Sequence, residues 1–439
     1  MRCIFHDRYS WEEDMKTAFK FLAAAAAFSM VGGAAYAQTL KIGASLPLTG
    51  GFSVSGQKHQ EGYGLCVDLI NERGGILGRE VELVVSDNRS DNATAISQYE
   101  RFINVDGVEA VFGTFSSRLS FPVASLLARN GMVHALPAGG ALGIYTQGHE
   151  NIYYFQPNAA EYVGASVSAL INDLIPEAER PQTAAVVSAD DFFANGVWAG
   201  LLGEQVIDAA DNSLVADLAP GYLAEAGIEV VYSERWPEEG FSDWLNLANS
   251  IKRSNAEMII GLTASAEEAV QLTRALATVQ AEAKLVYFSQ GTQAEFSEGT
   301  GASGDGVLVH TSWHKDAPFE SILGGEPFSN ADFVAAYQEA YGAVPDEDAA
   351  IPFAVCQGIE QAITGVGSTD NAAMGDWLSS RTPDEPVRTI LGRFNWDERG
   401  LPVDKPFLMT QWNGGNLQFV YPTNEFEGVS PLVYPKNGF

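Results

Sequence analysis

Residues 40–86 read LKIGASLPLTGGFSVSGQKHQEGYGLCVDLINERGGILGREVELVVS, and this stretch decides the fold class. Leu40 to Ser45 is a short apolar run of strand character. Gln57 to Glu72 carries helical patterning, and Gly74-Gly75 supplies the left-handed conformation that ends a helix. Val81 to Ser86 is a second strand. A strand, a helix and a strand in that order are the unit of an α/β fold with parallel sheets.

Outward from this unit the rhythm continues. A second helix is expected over 93–104, a strand over 110–113, a helix over 120–130 and a strand over 132–136. A second set follows. It has strands at 184–188, 228–232, 257–262 and 284–289, with helices from about Gly196, over 242–254, and ending near Thr278. No low-complexity linker separates the sets, which suggests two similar lobes. Crossings between them are expected at Phe155-Gln156-Pro157 and at His310 to His314. Asn195 to Gly227 is longer than one strand-to-helix connection needs and reads as a local insertion.

The N-terminus is read separately, because a targeting segment is no part of a fold. From Met15 the chain reads MKTAFKFLAAAAAFSMVGGAAYAQ. Lys16 and Lys20 precede an apolar stretch, and Ala35-Tyr36-Ala37 has the small-x-small pattern of a signal-peptidase site. Residues 1–14 do not resemble an export signal and look like an upstream start. The stretch is too short for a good anchor, which needs roughly 20 apolar residues. Cleavage near Ala37 and export to the periplasm are the expectation. A chain of 402 residues from Gln38 exceeds the size of one core, so two domains are expected.

The formal net charge is −31. A balance that acidic argues against nucleic acid and anionic membrane surfaces as partners. Cys66 and Cys356 are far apart, each in a helix-like stretch beside apolar residues, and they read as buried free thiols.

In open sheets of this class, ligands bind beyond the carboxyl ends of the strands, where polar loops and helix N-termini meet. That rule selects 45–56, 113–120, 137–141, 189–196, 263–268 and 289–293. Enzyme signatures are missing: there is no H-E-x-x-H, C-x-x-C, G-x-x-x-x-G-K-[ST] or G-x-S-x-G. His310 and His314 lie in an extended stretch without a carboxylate in sequence, so no metal site is expected. Asp87, Asp91 and Asn92 suit turn and capping roles. Asp190-Asp191, just after a strand, reads as loop or ligand contact. Neither catalysis nor a cofactor is expected.

The order of segments resembles the branched-chain amino acid and amide group of type I periplasmic binding proteins. The resemblance rests on Leu40 to Gly43, Leu48-Thr49-Gly50, Ser55-Gly56, Gly62 and the helix end Ile70 to Arg79. It continues through Asp87, Gly113 to Ser117, Pro137-Ala138-Gly139, Phe241 to Leu245 and Gly392 to Gly400. It implies two Rossmann-like lobes with parallel-core sheets joined by three crossovers, closing on a ligand by hinge motion. Lobe 1 would hold 38–156 and 313–394, and lobe 2 would hold 157–312 and 395–439.

The implied function is the substrate-binding component of an ABC importer, a monomer that hands a small polar ligand to a membrane permease. The candidates are an amino acid, an amide or a small carboxylic acid. The alternative is a periplasmic sensor of the same fold that presents its ligand to a membrane receptor. A third class, a secreted hydrolase, would need a nucleophile beside a base, and no motif offers one. By the same resemblance Ser117, with the backbone of Ala138, Gly139 and Gly140, would hold a ligand carboxylate. Gly140 replaces a hydroxyl residue usual in the family, and Arg118 stands where a small polar residue is common. Phe193 would close over the ligand from lobe 2, with a second contact near Ser265. The acid that accepts an α-ammonium in relatives falls on Gln290, which favours amides or non-amino acids, because a neutral amide compensates a buried ammonium poorly. Ser90 and Ser116 stand where some relatives place a disulfide.

Overall fold

The structure is a computed structural model and describes residues 38–208, 212–424, 428–436 and 438–439. The signal peptide and cleavage site expected before Gln38 lie outside these. Five strands, β1 (Leu40–Leu46), β2 (Val81–Asp87), β3 (Ala110–Phe112), β4 (His134–Leu136) and β5 (Ile152–Tyr154), form a parallel sheet in the order β2-β1-β3-β4-β5. A second sheet contains β6 (Thr183–Ala189), β7 (Glu229–Trp236), β8 (Met258–Leu262), β9 (Leu285–Phe288) and β10 (Val307–Thr311), all parallel. An antiparallel hairpin of β11 (Leu408–Asn413) and β12 (Asn416–Tyr421) extends it, giving β12-β11-β10-β9-β8-β6-β7. The chain passes between the sheets three times: after β5, after β10 and before β11.

Strand alternation explains why the apolar runs are nearly continuous: both faces of each sheet are covered. On β6, Ala184 and Val186 enter one core with Ile260 and Tyr287, while Ala185 and Val187 enter the opposite one with Ile259 and Phe288. On β1, Leu40, Ile42 and Ala44 pack with Tyr63, Cys66, Phe353 and Ile359. Truncating a fully buried member such as Ile260 to alanine would cost about 2–5 kcal/mol.

The helices that matter for the site are α1 (Ser53–Glu72), α2 (Asn92–Arg101), α3 (Ser117–Arg129), α4 (Phe192–Leu202), α5 (Ala266–Thr278) and α6 (Glu347–Val366). Three of them begin several residues earlier than the sequence pattern suggests, α1 at Ser53 rather than Gln57. Helix α3 starts at Ser117 rather than Ser120. Helix α4 starts at Phe192 rather than Gly196, because the Asp191 carboxylate accepts the Ala194 N–H at 2.8 Å and caps it there. Asp91 caps α2 in the same way. The insertion after α4 contains an antiparallel pair, Gln205–Ile207 with Leu214–Asp217, and a single helical turn, Tyr222–Glu225. The crossing expected at His310 to His314 starts only after Thr311, because His310 and Thr311 are the last residues of strand β10 in the second sheet.

Helix α6 is buried along most of its length and packs against α1. The approach is close because Gly62 lacks a side chain: a Cβ there would lie 2.1 Å from the Ala349 carbonyl oxygen. This packing overturns one expectation. Cys66 and Cys356 are buried, but they are bonded to each other as a disulfide with Cα atoms 6.3 Å apart. The two cysteines are 290 positions apart in sequence, and only the facing of α1 and α6 brings them together.

Candidate functional site

The carboxyl ends of both sheets converge on one small cavity of about 50 Å³. From the five-stranded sheet come Phe115, Ser116 and Ser117 after β3, Ala138, Gly139 and Gly140 after β4, and Tyr154 and Gln156 at and beyond β5. From the seven-stranded sheet come Phe193 on the first turn of α4, Ala264 after β8, Ser289 and Gln290 after β9, and His310 on β10. Glu347, Asp348 and Ile351 from the start of α6 complete it.

Local bonds fix the Ser117 end. Ser117 Oγ accepts the Ala141 N–H at 3.2 Å, and Ser120 Oγ donates to the Ala138 carbonyl at 2.9 Å. The loop after β4 is thereby pinned to the first turn of α3. Gly139 has φ +138°, a conformation that other residues rarely adopt. At Gly140 a Cβ would sit 3.0 Å from the Tyr154 hydroxyl and 3.4 Å from the Phe193 ring, so the residue lies where the two walls meet. The free N–H groups opening α3 give this end a partial positive character.

Another part of the lining is acidic. Glu347 Oε1 accepts the Ser312 N–H at 2.6 Å and Oε2 accepts from the Thr292 hydroxyl at 3.3 Å. Burial pushes the Glu347 carboxyl up to about 7. Asp348 accepts from the Gln293 amide, and Asp346 caps α6, where burial raises its carboxyl well above the usual range. His310 Nδ1 lies 2.8 Å from the Tyr287 hydroxyl, and burial holds the imidazole down at about 3, so it is neutral. Among the described residues the lining includes two carboxylates and no lysine or arginine. The lining therefore combines donors at Ser117 and 138–140, carboxylates at Glu347 and Asp348, and the apolar side chains of Phe115, Phe193 and Ile351.

Six of the eight positions singled out in the sequence line this cavity: Ser117, Ala138, Gly139, Gly140, Phe193 and Gln290. Arg118 and Ser265 do not. They face a wider chamber of about 690 Å³ lined also by Phe52, Glu238, Phe241 and Trp244. Ser265 is the N-cap of α5. Asp191, considered as a contact, is a buried cap that also accepts the Ala264 N–H at 3.1 Å. His314 is directed to the Leu417 carbonyl, at 3.2 Å from Nε2, while His310 faces Tyr287.

Sequence reading missed Tyr154, Gln156 and Ile351, and with them the two carboxylates Glu347 and Asp348. The signal for the carboxylates was the triplet Asp346-Glu347-Asp348 directly before an apolar run, a helix-start pattern.

These features define a periplasmic binding protein of type I fold, a binding protein and not an enzyme. A sequence model described as Periplasmic binding protein matches residues 39–416, and the chain belongs to that family. A Leu/Ile/Val-binding protein homolog 7 of Brucella suis biovar 1 (strain 1330) is 25% identical over 422 residues, covering 95% of this chain and 100% of its own. Among solved structures, the leucine binding protein LivK of Thermotoga maritima is similar at TM-score 0.70 and 21% identity, covering 87% of this chain and 97% of its own. LivJ of Streptococcus pneumoniae in complex with isoleucine gives 0.71 and 19%, covering 88% and 100%. A solute binding protein of R. palustris in complex with benzoate gives 0.69 and 17%, covering 89% and 99%.

Proposed function

We propose that this protein is the substrate-binding component of an ABC importer, and that its cargo is a small carboxylic acid carrying a protonated amine. The cargo's carboxylate would lie at Ser117 and the amides of 138–140, and its ammonium would face Glu347 and Asp348. The observation that carries this reading is that one cavity is lined both by the N–H groups opening α3 and by two carboxylates, the buried Asp348 and the half-buried Glu347. Gln290 argues against an amine only if it stands alone. With Glu347 and Asp348 in the same cavity, the counter-charge for an ammonium comes from a different element.

Lobes of 38–156 with 313–394 and 157–312 with 395–439 would close by a hinge over the three crossovers. The closed form would be read by a membrane permease. Cleavage near Ala37 and a periplasmic, monomeric protein complete the proposal.

The test is a thermal-shift screen of protein unfolded and refolded to strip carried-over cargo. L-Leucine, L-isoleucine, urea, acetamide and benzoate form the panel. A ligand at about 100 times its dissociation constant stabilises by roughly 2.7 kcal/mol, well within detection. Amino acids should raise Tm while urea, acetamide and benzoate do not. A response to benzoate or the amides alone would overturn the amine-bearing reading. Gln290→Glu gives a second check: a third carboxylate beside Glu347 and Asp348 should bring less than about a twofold gain for amino acids, because like charges oppose ionisation.

A further inference from the structure

Arg118 follows Ser117 directly on α3, yet its side chain leaves the inner cavity and crosses the outer chamber. Nη1 lies 3.1 Å from Glu238 Oε2 and 3.0 Å from Glu239 Oε1. Nη2 donates to the Ser90 carbonyl at 2.5 Å, and the guanidinium lies over the Phe52 ring, 5.1 Å from its centroid. Phe52, Ser90 and Arg118 all belong to connections of the five-stranded sheet. Glu238 and Glu239 lie in the loop after β7, at the edge of the seven-stranded sheet. Along the same seam Ser265 Oγ faces the Gly51 carbonyl at 3.5 Å.

We propose that Arg118 is a cross-cleft clasp, which holds the two lobes together through Glu238 whether or not cargo is bound. The inference rests on the hinge closure proposed above. Its parts are unequal by design of the fold. Phe52 and the Ser90 carbonyl hold the guanidinium ready from its own side, by stacking and a charge-assisted hydrogen bond, so little side-chain freedom is lost on closing. Across the seam, the Glu238 side chain is 25% exposed and that of Glu239 is 80% exposed. An ion pair in water contributes little, and salt screens it further. Glu238 therefore carries the clasp, and Glu239 is a solvated neighbour.

This role differs from a ligand contact, because the guanidinium already has carboxylate partners and lies outside the inner cavity. It also gives the sequence departure at this position a physical reason. A small polar residue there could not span to the loop after β7.

The experiment is small-angle scattering of cargo-free protein at about 0.01 M and about 1 M salt, where the Debye length is about 30 Å and about 3 Å. Wild type should be compact at low salt and show a larger radius of gyration at high salt. Arg118→Gln and Glu238→Gln should be expanded at both, with the open-to-closed ratio raised about fivefold, while Glu239→Gln follows wild type. Circular dichroism checks that each variant is folded, and Arg118→Lys, which keeps charge but loses the planar stack, should fall between. Arg118→Gln and Glu238→Gln with the wild-type radius at both salts would overturn the clasp. L-Isoleucine separates this failure from that of the hinge. If the amino acid contracts both the wild type and the variants, the hinge stands and the cargo-free radii alone judge the clasp. A radius that neither salt, variant nor amino acid changes would overturn hinge closure and the clasp with it.

Discussion

The Gln293 amide donates to the Asp348 carboxylate at 2.6 Å, and both side chains are buried. This bond joins the segment after β9 in the second sheet to the first turn of α6, which packs on the first. Thr292 reaches Glu347 beside it. The acidic end of the cavity is therefore held by contacts from both sides of the molecule, and its charge depends on how they keep it dry.

Binding of an amine should be pH-dependent. The Glu347 carboxyl, at about 7, faces Asp348, Tyr154, Tyr287 and the Ser312 N–H. An ammonium favours the ionised form, so affinity for an amino acid should rise as pH increases through about 7, with proton release on binding below it. Glu347→Gln should weaken binding at least about tenfold and flatten the profile. Calorimetry in two buffers of different ionisation heat reads both quantities, and an unchanged profile would count against this carboxylate.

Cargo-free stability should respond with the opposite slope. Burial raises Glu161, Asp191, Glu347 and Glu360 to about 7. A carboxyl raised above its unfolded value adds stability that is fully present below the unfolded value, about 4, and lost as pH climbs through about 7. The buried imidazoles of His134 and His310, held at about 3, have the opposite slope up to their unfolded value of about 6.5, so Tm of the stripped protein should fall between about pH 6.5 and pH 8. A profile that rises over this range in scanning calorimetry would contradict the burial of these four groups.

Ser117→Ala should weaken amino-acid binding by about tenfold, the scale of losing one hydrogen bond to a charged group. It also strands the buried Ala141 N–H, so Tm should drop by a few degrees rather than stay constant. Isothermal titration and a melting curve on the same preparation separate the two effects. Wild-type affinity would remove Ser117 from the site.

Gly62→Ala should lower stability by about 1–3 kcal/mol, because α1 and α6 must separate to admit the methyl group. It should also weaken binding, since α6 carries Glu347 and Asp348. Denaturant unfolding gives the first effect and titration the second. Lost stability with unchanged affinity would show that the start of α6 is positioned independently of this contact.

Reduction of Cys66–Cys356 should cost about 2–4 kcal/mol. Both sulfurs are buried, so the reductant should act only after partial unfolding. Melting curves with and without prior reduction in denaturant test this, and identical curves would mean that the bridge adds nothing.

The sheets were legible because their strands are apolar runs followed by glycine and polar loops, as at Leu40 to Ser45 and Ala184 to Ser188. The Ser117 and Gly139 end of the site was legible for the same reason, since loops after strands follow a rule. Helix α6 was not. It is buried on nearly every side, so it shows no amphipathic stripe, and Pro352 interrupts its pattern. With the start and the partner of α6 unread, neither the cysteine pair nor the acidic part of the cavity could be found. Arg118 was visible as a departure, but its direction depends on Glu238, 120 positions away, which no local pattern connects to it.

The two acids that α6 gives to the cavity, Glu347 and Asp348, are consecutive, and most of the remaining lining comes from segments scattered along the chain. A change in the charge of the preferred cargo thus needs substitutions within only two adjacent codons, at a helix start tethered by a covalent bond further along. Descendants of such a gene could pass from amine-bearing to neutral or acidic nutrients without disturbing either sheet, an evolutionary freedom that a site built only from strand ends would lack.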